Sequence, residues 1–135
     1  MANTKGQIFG INGPVVKVKG SDSFEMQEMV YVGNEELIGE VIGVTSDTTI
    51  VQVYEETTGL KKGEPVVGTG GPLSITLAPG ILSDIFDGIE RPLKEIRNMS
   101  GSFIGRGLKV TNLDERKTWN VEMVAKQGDY VTCLL

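Results

Sequence analysis

Leu37-Ile-Gly-Glu-Val-Ile-Gly-Val44, a turn at Ser46-Asp47, then Thr49-Ile-Val-Gln-Val-Tyr54: these residues decide the fold class. The first run is nearly continuously apolar, as expected of a strand covered on both faces or bent at Gly39 and Gly43. The second alternates, with Thr49, Val51 and Val53 on one face and Ile50, Gln52 and Tyr54 on the other. Working upstream, Gly6 to Asn12 reads as a strand, Asn12-Gly13-Pro14 as a turn, and Val15, Val16 and Val18 as the next strand with Lys17 and Lys19 outward. Met1 to Lys5 reads as a frayed end. Ser21 to Gln27 is a polar, acidic loop, and Met29 to Val32 is a strand closed by Gly33-Asn34. Downstream, Glu55 to Gly63 is a loop. Pro65 to Val67 and Leu73 to Leu77 read as two short strands separated by the turn Gly68-Thr69-Gly70-Gly71-Pro72. Six or so short strands with close glycine turns predict a mainly β chain with a small closed six-stranded barrel, closure being the remedy for exposed sheet edges.

Composition agrees. The 135 residues include 18 Gly but only 5 Pro, without a collagen period, which suits a small all-β module with many tight turns. The net charge is −5, and Asp22 to Glu56 holds nine carboxylates with no Lys or Arg. Such a surface repels nucleic-acid phosphates and anionic lipid headgroups, and its plain reading is a solvated face. A single cysteine, Cys133, excludes an internal disulfide, and without histidine it supports neither zinc binding nor thiol catalysis. A reducing compartment fits. No apolar run approaches the roughly 20 residues of a membrane span, and the N-terminus is too polar for a signal peptide.

Beyond the barrel the apolar period changes. Ile81, Leu82, Ile85, Phe86 and Ile89 fall on one helical face, opened by Pro79-Gly80, weakened at Gly88 and interrupted by Pro92. Leu93 and Ile96 restart the stripe. The expected organisation is a barrel over residues 1–77, a short kinked helical connector over 78–98, and the start of a second β module over 99–135. In that last part Asn98 to Gly107 is glycine-rich with Phe103 and Ile104 as anchors, Leu108 to Val110 reads as a strand, and Leu113 to Lys117 as a charged turn. Trp119 to Val124 alternates, Lys126-Gln127-Gly128-Asp129 reads as a hairpin turn, and Tyr130 to Leu134 as the return strand. A segment below roughly 40 residues rarely folds alone, so this module reads as unfinished.

A search for chemistry returns little. No Gly-Lys-Ser or Gly-Lys-Thr is present, so there is no P-loop. The cluster Gly68, Gly70, Gly71 lacks the third glycine of a dinucleotide fingerprint and is followed by Pro72, and Gly101, Gly105 and Gly107 suit a flexible loop. The acid pairs Glu35-Glu36, Glu55-Glu56 and Asp84 with Asp87 read as solvated surface, and Ser83 has no base at a useful spacing. No catalytic, cofactor-binding or metal-ligating residue is assigned. A binding or assembly module is expected. An enzyme complete in 135 residues is the weakest alternative.

Two stretches go beyond pattern. Gln52-Val-Tyr-Glu-Glu-Thr-Thr-Gly-Leu60 strongly resembles a signature of the catalytic A subunit of V-type and archaeal A-type rotary ATPases, and Phe86-Asp-Gly-Ile-Glu-Arg-Pro-Leu93 resembles another, with Glu90 where Gln is usual. Gly13-Pro-Val-Val16, Leu37 to Ile42, Gly63-Glu-Pro-Val66, Leu73-Ser74, Phe103-Ile-Gly-Arg-Gly107, Leu113-Asp114, Trp119, Val124 and Gly128-Asp129 add supporting matches. The resemblance implies an N-terminal portion of such a subunit, truncated before a central domain that binds Mg-ATP, whose barrel joins B subunits in an alternating hexameric crown. It implies that residues 99–135 begin an outward bulge reaching peripheral stalk subunits. It also implies a parent that couples ATP hydrolysis or synthesis to H⁺ or Na⁺ transport, cytoplasmic and peripheral to a membrane-bound complex, with this portion an assembly collar that carries no nucleotide contacts and inserts in no membrane; the acidic face and sparse aromatics argue against a nucleic-acid partner. The competing reading is a free-standing small β-barrel module that holds an oligonucleotide, peptide or small ligand.

Overall fold

In a computed structural model the described residues are 5–20, 24–82, 84–89, 91–101, 105–108, 110, 113 and 116–132. Six strands, β1 (Lys5–Asn12), β2 (Val15–Lys19), β3 (Glu28–Val32), β4 (Leu37–Val44), β5 (Thr49–Val53) and β6 (Pro65–Pro72), pair antiparallel in the closed order β1-β2-β5-β4-β3-β6. β6 bonds both β1 and β3, so no strand is left with an open edge.

Side-chain alternation fixes what lies inside. Val16 and Val18 point in from β2, Val30 and Val32 from β3, Leu37 and Val41 from β4, Val51 and Val53 from β5, all essentially buried with Ile8 and Val66. Phe24, from the loop before β3, reaches in beside Gly6 and Gly68. Register shifts in β1 between Ile8 and Gly10, and in β4 between Val41 and Gly43, bend strands around the small barrel.

The strands expected of the barrel are present, with two corrections. The glycine-rich Gly68 to Pro72 is not a turn but the second half of β6, and Leu73 to Leu77 forms no strand; Leu77 is 75% exposed. The acidic run is not uniformly solvated either. Glu28 shares the inward parity of Val30 and Val32 and is buried.

The connector also departs from its apolar pattern. A 3₁₀ turn spans Pro79–Ile81, and no α-helix forms among the described residues from 82 to 92, where Phe86 pairs with Pro92 as an isolated antiparallel bridge. Leu82 and Ile85 are 74% and 63% exposed, so the stripe over Ile81 to Ile89 does not form a helical face. The cause is local: the Asp87 carboxylate accepts the N–H groups of Ile89 (3.1 Å) and Arg91 (2.8 Å), an alternative to helical bonding. The α-helix starts only after Pro92, as α1 (Leu93–Ser100), and buries Ile96. Proline suits a helix start because the first N–H groups have no helical acceptor.

Beyond α1 no strand forms among the described residues. Trp119, Val121 and Met123 alternate in sequence but are all exposed, without a partner strand among those residues. The turn at Lys126 to Asp129 is present: Asp129 N–H donates to the Lys126 carbonyl (3.1 Å), and Lys126 N–H to Asp129 Oδ2 (2.8 Å). Met1 to Thr4, Asp22, Ser83, Glu90, Phe103, Ile104, Asp114, Cys133 and Leu134 lie outside the described residues.

Candidate functional site

The outer face of β3 and β4 is not bare. Met29, Tyr31 and Ile38 form one wall of a cleft of about 410 Å³, and Leu73, Ile89 and Leu108, from the chain returning over the barrel, form another. Glu55 and Arg91 also line it. Arg91 is 8% exposed, and its side chain reaches two carboxylates: Nη1 donates to Glu55 Oε2 at 3.0 Å and Nε to Asp87 Oδ2 at 2.7 Å. The Glu55 side chain is 7% exposed and that of Asp87 18%. The solvated-surface reading of Glu55 and Asp87 is therefore corrected: both hold the connector against the barrel.

Burial alone would push the Asp87 carboxyl up, but hydrogen bonds from the Arg91 backbone and guanidinium and from Ile89 N–H outweigh it and hold Asp87 below the usual carboxylate range. Burial likewise works against the charged Arg91, and Asp87 and Glu55 more than compensate. A buried ion pair is weak evidence for net stability, but losing one partner of it is costly. Its structural effect is positional: it fixes how the chain leaves the barrel. Asp84 pairs at the surface with Lys94 of α1 (2.7 Å), and that bond lowers its carboxyl. Tyr54 donates to Glu40, which raises the phenol.

The glycine cluster does not fit a nucleotide phosphate. Gly70 N–H, a donor a phosphate would need, is taken by Glu28 Oε1 at 2.8 Å, while Glu28 Oε2 accepts Glu25 N–H at 2.9 Å. A buried carboxylate in that position repels phosphate. Among the described residues no group of three or more His, Cys, Asp or Glu is arranged to hold a metal ion. The same residues include no helix long and apolar enough to cross a membrane.

Residues 8–70 match the family model described as ATP synthase alpha/beta family, beta-barrel domain. That span takes in β2 to β5 and most of β1 and β6. The likeness runs well past the barrel. The chain is 52% identical over 124 residues, 92% of its length, to the V-type ATP synthase alpha chain 2 of Clostridium tetani. It is 53% identical over 127 residues, 94% of its length, to the V-type ATP synthase alpha chain of Halothermothrix orenii. To the A subunit of the A-type ATP synthase of Methanopyrus kandleri it is 52% identical over 132 residues, 97% of its length. It spans about a fifth of the length of these relatives, 21–22%. The resemblance to A subunits of V/A-type ATP synthases, carried by Gln52 to Leu60 and Phe86 to Leu93, is thus borne out. The structure adds that these two stretches meet: Glu55 of the first pairs with Arg91 of the second.

Proposed function

We propose that this ATP synthase alpha/beta-family barrel is an assembly collar, the N-terminal part of the A subunit of a V/A-type rotary ATPase. In this reading the barrel packs beside B-subunit barrels in an alternating ring, and residues 99–135 begin a bulge directed at peripheral stalk subunits. The parent protein couples ATP hydrolysis or synthesis to H⁺ or Na⁺ transport and works on the cytoplasmic side, peripheral to the membrane-bound part of the complex. Mg-ATP is bound by regions of the parent other than this barrel.

The observation that supports the reading is the Glu55–Arg91 pair. The signatures shared with A subunits converge on a joint between barrel and connector, not on a constellation of nucleophile, base or phosphate donors. A rigid joint of this kind suits a scaffold that must set the direction of the next segment of chain.

The direct test is copurification of this chain with the N-terminal barrel of a B subunit, followed by sedimentation to obtain the stoichiometry. A one-to-one complex is expected, and its absence at micromolar concentration would count against the collar. Calorimetry with Mg-ATP should give no binding heat; clear affinity would contradict the assignment of nucleotide binding to the rest of the parent.

A further inference from the structure

Four observations converge on the segment after α1. Glu55 Oε2, already bonded to Arg91, also accepts Gly107 N–H at 3.1 Å. Arg106 donates to the Thr58 carbonyl and pairs with Glu35 at 3.7 Å. Gly107 has φ +61°, and a Cβ there would run into the Glu35 backbone. Gly59, at φ +99°, would place a Cβ 3.6 Å from the Arg106 guanidinium. The turn between β3 and β4 thus approaches Gly107 so closely that glycine is needed there, and the loop after β5 lies in ordinary contact with Arg106.

We propose that Glu55, Thr58, Gly59 and Glu35 form a seat on the barrel whose occupant is the Gly105-Arg106-Gly107 segment, and that Glu55 is its positioning residue. One carboxylate thereby fixes two separate pieces of chain: the connector through Arg91 and the post-helical segment through Gly107. Its other oxygen accepts Ile38 N–H of β4 at 3.4 Å, which ties both to the barrel wall. The barrel sets the direction in which residues beyond 107 depart. That this orients a bulge toward stalk subunits rests on the collar reading; the seat itself does not.

Trypsin reads the seat directly, because the Arg106–Gly107 bond is cut only when the segment leaves it. In the full chain this bond should be cut at least about tenfold more slowly than in a synthetic peptide of residues 101–112, a charge-assisted hydrogen bond being of that order. Glu55→Gln keeps the shape and removes the charge. It should speed cleavage at Arg106 at least about tenfold and leave cleavage at Lys61 and Lys62, on the exposed barrel loop, unchanged. Gly107→Ala leaves the Glu55–Arg91 pair in place and should accelerate the same cut, which keeps the test decisive if Glu55→Gln does not fold. Cleavage of the unaltered chain as fast as the peptide would overturn the seat, as would two variants cut at the original rate. Acceleration by Gly107→Ala with none by a folded Glu55→Gln would overturn the role of Glu55. None of these outcomes depends on B-subunit binding, so the seat and the collar fail separately.

Discussion

Arg91→Ala is the perturbation that most directly tests the joint. The substitution removes a buried guanidinium from between Glu55 and Asp87. Breaking a buried pair by removing one partner costs about 3–5 kcal/mol, mostly because a charge is left uncompensated. Here the low end applies. Glu55 keeps the Gly107 N–H, and Asp87 keeps the N–H groups of residues 89 and 91, which a change of side chain does not remove. About 3 kcal/mol corresponds to roughly a hundredfold in an opening equilibrium. The loss should be local, because the barrel core of Val30, Leu37, Val41 and Val51 does not include the joint. Amide hydrogen exchange separates the cases. The N–H of Leu93, bonded to the Ile85 carbonyl, and that of Asp87, bonded to the Arg91 carbonyl, should exchange about a hundredfold faster. The ladder amides between β2 and β5 should not change. Equal acceleration of barrel and connector would show that the joint belongs to the barrel's own cooperative unit. Unchanged connector amides would show that the pair does not hold it. Arg91→Lys, a single point charge that cannot span both carboxylates in the same way, should fall between.

Leu37→Ala removes a fully buried side chain from the barrel and should cost about 2–5 kcal/mol, read as a lowered urea midpoint with an unchanged slope. An unchanged midpoint would place Leu37 outside the core. Gly39→Ala places a Cβ 2.9 Å from both the Gln52 carbonyl oxygen and Val51 Cγ1. Since backbone cannot yield as a flexible tip does, about 1–3 kcal/mol of destabilisation is expected in the same assay, and a neutral effect would mean that β4 and β5 can separate freely. The Asp87 carboxyl is depressed in the folded chain, so its contribution is complete above its ordinary, unfolded value and is lost as pH falls through the lower, folded one. Connector exchange, corrected for the intrinsic pH dependence of amides, should therefore be flat from pH 7 to 5 and rise below about pH 4. In Arg91→Ala that rise should be blunted, and an unaltered acid profile would remove Arg91 as the partner that matters.

The barrel was legible because its information is local. Alternation of valines, glycine-bearing turns and short run lengths all lie within a few residues, and they place β1 to β5 to within a residue or two. What escaped is non-local. Asp87 and Arg91 are four residues apart, as if one turn apart on a helix, but Glu55 lies 36 residues from Arg91. Each half of that pair looks like solvated surface when read alone. The connector's apolar spacing suits a helix, and the Asp87 carboxylate, bonded to two backbone N–H groups, favours the non-helical path alongside Gly88 and Pro92.

Glu28 and the glycines of β6 show the same limit from the other side. Glycines in succession suggest a turn because the backbone is free there, and a glutamate in an acidic run suggests solvent. Pairing β3 with β6 places the two features together: Gly68 leaves room where a Cβ would collide with the Glu28 carboxylate, and Gly70 offers its N–H to that carboxylate. Each then accounts for the other. A buried acid needs donors and space, and a strand crossing over it must lack a side chain at that point. The parity of Glu28 with Val30 and Val32 was present in the sequence and would have turned Glu28 inward. What it could not supply was the partner strand, and without that partner an inward glutamate looks like an error of register, not a packed feature. The Glu55–Arg91 joint obeys the same logic, which is why stretches recognisable one at a time by resemblance acquire a physical reason only when the chain brings them together.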